Sequence, residues 1–169
     1  MEGRGIVNKM IKRASIITII TLIAGCSIQT LVEPIPPQTS ISEICILENP
    51  KVIISDFLPV VQEGIARHGL RSSVYREVPS DCVYVLAYVA YQRWDFTLFM
   101  SEATIKLYRD KKLVGSVSYQ TPTGIFGGGG ANPAKWKSTK EKLDPLLDEL
   151  FKFYPGPSQK DAIGSVRSQ

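Results

Sequence analysis

Cys82-Val83-Tyr84-Val85-Leu86-Ala87-Tyr88-Val89-Ala90 alternates without a break. Val83, Val85, Ala87 and Val89 fall on one face of an extended chain, and Tyr84, Leu86, Tyr88 and Ala90 on the other, which is the period of a β-strand. After a turn around Arg93 to Phe96, the alternation resumes with Phe99, Ala103, Ile105 and Leu107 against Glu102, Thr104, Lys106 and Tyr108. Asp110-Lys111-Lys112 turns the chain again, and Leu113 to Gln120 supplies one more strand. Three consecutive strands joined by short turns form an antiparallel meander.

Working upstream, Ile44-Cys45-Ile46-Leu47 reads as a short buried strand. A helix is expected to start at Ser55 or Asp56, to carry Pro59 in its first turn and to bury Leu58, Val61 and Ile65. Gly69 stops it, with His68 in the last turn and Leu70 placed for a Schellman-type end. A second strand from about Ser72 to Val78 makes a strand-helix-strand unit, expected to be a right-handed parallel crossover. Downstream of the meander, Ser138 and Glu141 stand in capping-box spacing ahead of a stripe at Leu143, Leu146, Leu147, Leu150 and Phe151. Pro145 interrupts that stripe. Either the helix kinks there or it starts at Asp144; Leu143 continues the stripe, which favours the kink. The expected fold is α+β: a strand-helix-strand unit, a three-stranded antiparallel meander and a C-terminal helix, with two helices on one face of a mixed sheet.

The chain has 169 residues, 44% hydrophobic and 21% charged, which fits one modest globular domain. Of its formal net charge of +4, all but a single unit comes from the first 25 residues, where Arg4, Lys9, Lys12 and Arg13 oppose Glu2. No basic footprint remains on the domain, so nucleic acid is excluded as a partner. The cationic segment 1–13 precedes an apolar run, Ala14 to Ala24, whose length suits a secretory signal; spanning a bilayer takes ~20 residues. Translation from Met10 would leave an equivalent signal.

The junction Leu22-Ile23-Ala24-Gly25-Cys26 resembles the lipobox of bacterial lipoproteins, in which two small residues precede a cysteine that becomes the lipidated N-terminus. The alternative is an ordinary cleaved signal with a chance cysteine. Ser27 after the cysteine resembles the outer-membrane sorting class, with the inner membrane as the alternative. The expected organisation is a signal peptide over 1–25, a lipidated Pro-rich tether over 26–40, a periplasmic domain over 41–154 and a disordered tail over 155–169. Within the domain, Cys45-Ile46-Leu47-Glu48-Asn49-Pro50, Arg93-Trp94-Asp95 and Gly127-Gly128-Gly129-Gly130 through Lys135-Trp136 resemble, in that order, motifs of a family of small proteobacterial lipoproteins of no established activity. Pro145 departs from the plain amphipathic helix of that family. The resemblance implies fold and location alone.

With Cys26 lipidated, Cys45 and Cys82 remain as a pair in an oxidising compartment and read as a structural disulfide. The alternative, a redox pair, lacks the C-x-x-C spacing that lowers a thiol pKa. His68 is the single histidine, which removes two-His metal sites and leaves a Cys-His dyad as the remote alternative to a helix-end role. The glycine run 127–130 lacks the Gly-Lys-Ser/Thr of a phosphate loop and reads as a flexible connection. Trp94 is expected to anchor packing, with Arg93 and Asp95 flanking it as a local ion pair or a turn hydrogen-bond set; the alternative is a binding hot spot. Lys135, Trp136, Lys137, Lys140 and Lys142 form a basic patch, read as a solvated face, with an anionic membrane surface as the second reading.

With Val83, Val85, Ala87, Val89, Phe99, Ala103, Ile105, Leu107 and Val117 under the helices, Tyr84, Tyr88, Thr104, Lys106, Tyr108, Ser116 and Ser118 would face the other way. Tyr84, Tyr88 and Tyr108 on that open face are then candidate partner-binding residues. No cofactor, metal or catalytic constellation is expected. The functional expectation is a non-enzymatic, membrane-anchored envelope lipoprotein with an envelope protein partner; the alternative is a small-molecule or lipid-binding domain using the space between sheet and helices.

Overall fold

The computed structural model describes residues 28–37, 39–121 and 133–154. The signal segment, Cys26, the glycine run 127–130 and the tail 155–169 lie outside the described residues. The elements are β1 (Gln29–Glu33), β2 (Glu43–Leu47), α1 (Phe57–Arg67), β3 (Arg71–Tyr75), β4 (Tyr84–Asp95), β5 (Thr97–Arg109), β6 (Lys112–Gln120), a one-turn 3-10 helix (Pro133–Trp136) and α2 (Thr139–Leu150).

One mixed six-stranded sheet has the order β1-β6-β5-β4-β2-β3. β4, β5 and β6 form the antiparallel meander, and β2 runs parallel to both β3 and β4. The α+β class is as the sequence predicts. Asp110 and Lys111 both take positive φ, 48° and 66°, between the paired Arg109 and Lys112, which is the backbone a two-residue hairpin turn requires.

β1 is the first departure. Residues 26–40 read as a tether because Pro34, Pro36 and Pro37 dominate them, yet Gln29–Glu33 pairs antiparallel with β6 along its whole length. Ile35, two residues further, is fully buried, and its N–H donates to the Leu150 carbonyl at 3.0 Å. The prolines begin only after the strand has paired, so they end β1 without costing it a ladder donor.

The core lies between the sheet and two helices that run side by side. α1 contributes Phe57, Val60, Val61 and Ile65, and α2 contributes Leu143, Leu146, Leu147 and Leu150. α1 ends as the sequence predicts: Gly69, at φ 71°, donates to the Ala66 carbonyl and Leu70 to that of Ile65. α2 opens on the expected reciprocal capping box of Ser138 and Glu141 and carries Pro145 in its interior. Where the helices cross, a Cβ on Gly64 would stand 2.5 Å from Leu147 Cδ1, so only glycine admits this approach. Arg67 ties the C-terminal end of α1 to α2 through Asp144 and Asp148, each at 2.9 Å.

β4 presents the opposite face from the one expected. Tyr84, Leu86, Tyr88 and Ala90 are buried under the helices, while Val85 and Ala87 are half-buried and Val83 and Val89 exposed on the far side. The physical reason is a β-bulge between Tyr91 and Gln92. Beyond it Gln92 pairs with Met100, whereas before it Tyr91 pairs with Glu102, leaving Ser101 as the extra residue. One inserted residue shifts the register by one and exchanges the two faces of everything behind it. On β5, Ala103, Ile105 and Leu107 are buried as predicted.

Candidate functional site

The residues singled out from the sequence separate into four places. Cys45 and Cys82 are joined in a disulfide with Cα atoms 6.4 Å apart, binding β2 to the approach to β4. Tyr84 and Tyr88, 4% and 6% exposed, are core residues and not surface recognition residues. The Arg109 guanidinium lies over the Tyr84 ring at 5.8 Å, the Tyr88 ring stacks on Phe57, and the Asn49 backbone N–H donates to the Tyr88 hydroxyl. Tyr108 alone of the three keeps to the open face, half-buried beside Val85, its cross-strand partner.

Arg93, Trp94 and Asp95 lie at the far end of the β4–β5 hairpin, and the packing expected of them is reversed. Trp94 is 73% exposed and Arg93 is exposed, so Trp94 anchors no core. Asp95 pairs with Lys135, not with Arg93, and its carbonyl accepts from Trp136 Nε1 at 3.1 Å. The 3-10 helix is thereby fastened to the hairpin. Lys135 is buried with its ammonium 4.8 Å from the centre of the Phe99 ring.

The basic patch read as a solvated face is divided in the same way. Lys142 is 4% exposed and donates to the carbonyls of Met100 at 3.0 Å and Lys135 at 2.6 Å, and burial lowers its pKa to about 8. Lys140 reaches Glu63 across the helix pair and Asp144 one turn along its own helix, and Lys137 is exposed. His68 holds the C-terminal end of α1 by contacts to the Tyr154 carbonyl at 2.7 Å and Asp148 Oδ1 at 3.1 Å. Burial opposes ionisation of Asp148, but Arg67 and His68 outweigh it and keep this carboxyl below its ordinary range. Both nitrogens of the ring are engaged in fastening helices, which leaves a packing role for His68.

What the sequence reading missed is the rest of the hairpin end. Phe96, at the turn with φ 58°, is 84% exposed, Leu98 60% and Tyr91 57%. Large apolar side chains at a tight turn, flanked by Trp94, were a legible signal; the expectation of a packed Trp94 hid it. Beneath the hairpin, a cleft of about 370 Å³ opens between its root and the starts of both helices, lined by Ile53, Asp56, Gln92, Leu98, Trp136 and Thr139 among others. Asp56 Oδ1 and Thr139 Oγ1 hydrogen-bond across its floor at 2.9 Å. Among the described residues no three His, Cys, Asp or Glu side chains are grouped to hold a metal ion.

No family model and no curated protein matches the chain. Among solved structures, a PelC dodecamer from Paraburkholderia phytofirmans superposes with a TM-score of 0.50 at 10% identity, covering 76% of this chain and 99% of PelC. A variant PelC dodecamer from the same organism gives 0.46 at 13% identity over 70% of this chain and 98% of its own. A minor lipoprotein from Acinetobacter baumannii gives 0.35 at 13% identity over 68% of this chain and 91% of its own, too loose a match to carry an argument. The first superposition shows a shared fold and nothing beyond it.

Proposed function

We propose that the protein is a cell-envelope lipoprotein, anchored by acyl chains on Cys26, whose domain is a non-catalytic partner-binding module. The lipobox Leu22–Cys26 carries this reading. A thiol preceded by a cleavable small-residue junction admits alkylation and then, after cleavage, acylation of the exposed amine, and two or more chains give stable anchoring. No helix among the described residues is long and apolar enough to cross a membrane, consistent with an anchor outside the domain. The outer membrane, periplasmic side, is the proposed location.

Against the alternative of a ligand held between sheet and helices stands the core itself, where buried side chains from every layer make one continuous cluster. A protein partner is offered the open sheet face instead, where Val85, Ala87, Val89, Thr104 and Tyr108 lie on adjacent strands β4 and β5. The experiment has two parts. Palmitate labelling of the wild-type chain and its loss, together with release from membranes, in Cys26→Ser supports the anchor; a label that persists in Cys26→Ser overturns it. A photocrosslinker at Tyr108 should give an adduct that Ala87→Arg removes, and an adduct indifferent to Ala87→Arg overturns docking on that face. A ladder at multiples of the chain mass would identify the partner as a second copy, the kind of assembly the PelC dodecamer makes.

A further inference from the structure

The register of the sheet brings the anchor and the exposed hairpin to the same side. Gln29, at the start of β1, pairs with Gln120 of β6. Gln120 in turn pairs with Glu102 of β5, and Glu102 with Tyr91 of β4. The start of β1 and Tyr91 therefore lie on one transverse line at one end of the sheet. Among the described residues, only the β4–β5 hairpin continues as strand beyond that line, from Gln92 to Ser101, and at ~3.3 Å per residue its turn stands ~15 Å further out. Cys26 precedes Gln29 by three residues, a reach of at most ~10 Å. The long tether expected from the prolines does not exist as a spacer, because β1 has taken its residues into the sheet.

An anchor that short cannot hold the sheet's end further from the lipid than the hairpin already projects. The side chains at that projecting end match the demand. Trp94, Phe96 and Leu98 are the most exposed apolar residues of the hairpin, at 73%, 84% and 60%, and the exposed Ile53 lies in the neighbouring loop. Arg93 and Lys137 supply cationic groups at the same end, and the hairpin is stiffened from behind by Asp95 with Lys135 and Trp136. Aromatic side chains with flanking cations are the composition that settles at the headgroup level of a bilayer.

We infer that the β4–β5 turn inserts Trp94, Phe96 and Leu98 into the headgroup–acyl boundary of the leaflet that carries the chains on Cys26. The domain then stands on the membrane at two points, with β1 and the hairpin as its feet. This rests on the proposed acylation of Cys26. It also fixes orientation: strand axes stand steep to the membrane, and the open sheet face turns sideways, parallel to the surface normal, where a neighbouring envelope protein can reach it.

The test uses the mature, acylated full chain in vesicles of phosphatidylethanolamine and phosphatidylglycerol with or without brominated acyl chains. Mass measurement of the recovered protein first establishes the lipid. Bromolipid should quench tryptophan emission in the wild type, and Trp94→Phe should remove at least half of that quenching. Phe96→Ser with Leu98→Ser should weaken it while leaving far-UV dichroism, the melting midpoint and the disulfide unchanged. Acylated protein whose emission bromolipid leaves untouched overturns the inference and spares the anchor. Blue-shifted emission without quenching also overturns it, assigning the turn to a protein surface. A recovered chain without lipid overturns the anchor, and the inference with it.

Discussion

Among the described residues, no carboxylate lies within ion-pair distance of the Lys142 ammonium. Its Nζ donates to two backbone carbonyls, of Met100 and Lys135, and lies near the rings of Phe99 and Tyr119, at 5.6 and 5.7 Å from their centres. Burial lowers its pKa to about 8, with Glu141 opposing, and the same enclosure raises Tyr119 to about 12. The sign of the stability effect follows from proton counts. Between about pH 8 and the ordinary lysine value of 10.5, the native state has released a proton that the unfolded chain still holds, so stability rises with pH in that window. The slope for one proton is at most about 1.4 kcal/mol per pH unit. Urea unfolding of the wild type should show the rise between pH 8 and 10, and Lys142→Met should flatten it. A variant that keeps the full slope would show that some other group titrates. Above pH 10 the Tyr119 hydroxyl, neutral in the native state and ionising in the unfolded one, pulls stability down again. Nothing in the spacing of Lys135, Lys137, Lys140 and Lys142 distinguished the buried Lys135 and Lys142 from the exposed Lys137: all four are lysines near one capping box, and the carbonyl that meets Lys142 belongs to Met100 on β5, far away in sequence.

At the scale of the element, β1 decides what the N-terminal segment is. A tether can lose side chains freely, whereas an edge strand cannot. Ile35 is fully buried, packs against the position of Gly115 and sits on the carbonyl end of α2, so Ile35→Ala should cost about 2–5 kcal/mol in chemical denaturation. A change under about 0.5 kcal/mol would restore the tether. The segment concealed itself because its strand signal, Gln29–Glu33, spans five residues and carries one buried-side candidate, Val32, with Ile28 just ahead of it and three prolines after it. β4 misled for a different reason. Both of its faces are apolar, so alternation identified the strand but not its inward side, and Arg93 to Asp95, expected in the turn, continue as strand. β5, with Glu102, Thr104 and Lys106 opposite Ala103, Ile105 and Leu107, was polar on one side and was read correctly. Cross-strand pairing could have transferred that assignment from Ile105 to Tyr88, but a regular hairpin about Phe96 would set Tyr88 opposite Thr104. The single bulge residue Ser101, held by its hydroxyl on the Tyr91 carbonyl, makes the difference, and no local pattern announces it. The helices were legible because their caps are chemical: Ser138 with Glu141 and Gly69 with Leu70 are pairs whose backbone consequences follow from residue type.

At the scale of the whole molecule, the disulfide and the hairpin act at opposite ends of one strand. Cys82 lies two residues before β4 begins and Asp95 ends it, so β4 carries the cross-link at one end and the apolar turn at the other. The bridge closes a separation of 37 residues that contains α1 and β3, and β3 joins the sheet through β2, the strand that runs parallel to β4. In the chain-entropy account, a loop of that length stabilises by about 4 kcal/mol, a large share of the 5–15 kcal/mol typical of a domain. Replacing Cys45 and Cys82 together by Ala should therefore lower the melting midpoint by roughly 10–25 °C. Hydrogen exchange should locate the loss. Protection should fall across β2, α1 and β3, which the bridge fastens to the sheet, while the β4–β5 hairpin keeps its protection, because Asp95 with Lys135 and Trp136 holds it independently. Equal loss at both ends would show one cooperative unit with no separately fastened foot. A midpoint that moves by less than about 3 °C would show that the bridge does not carry the fold, and would return Cys45 and Cys82 to the redox reading that their spacing argued against.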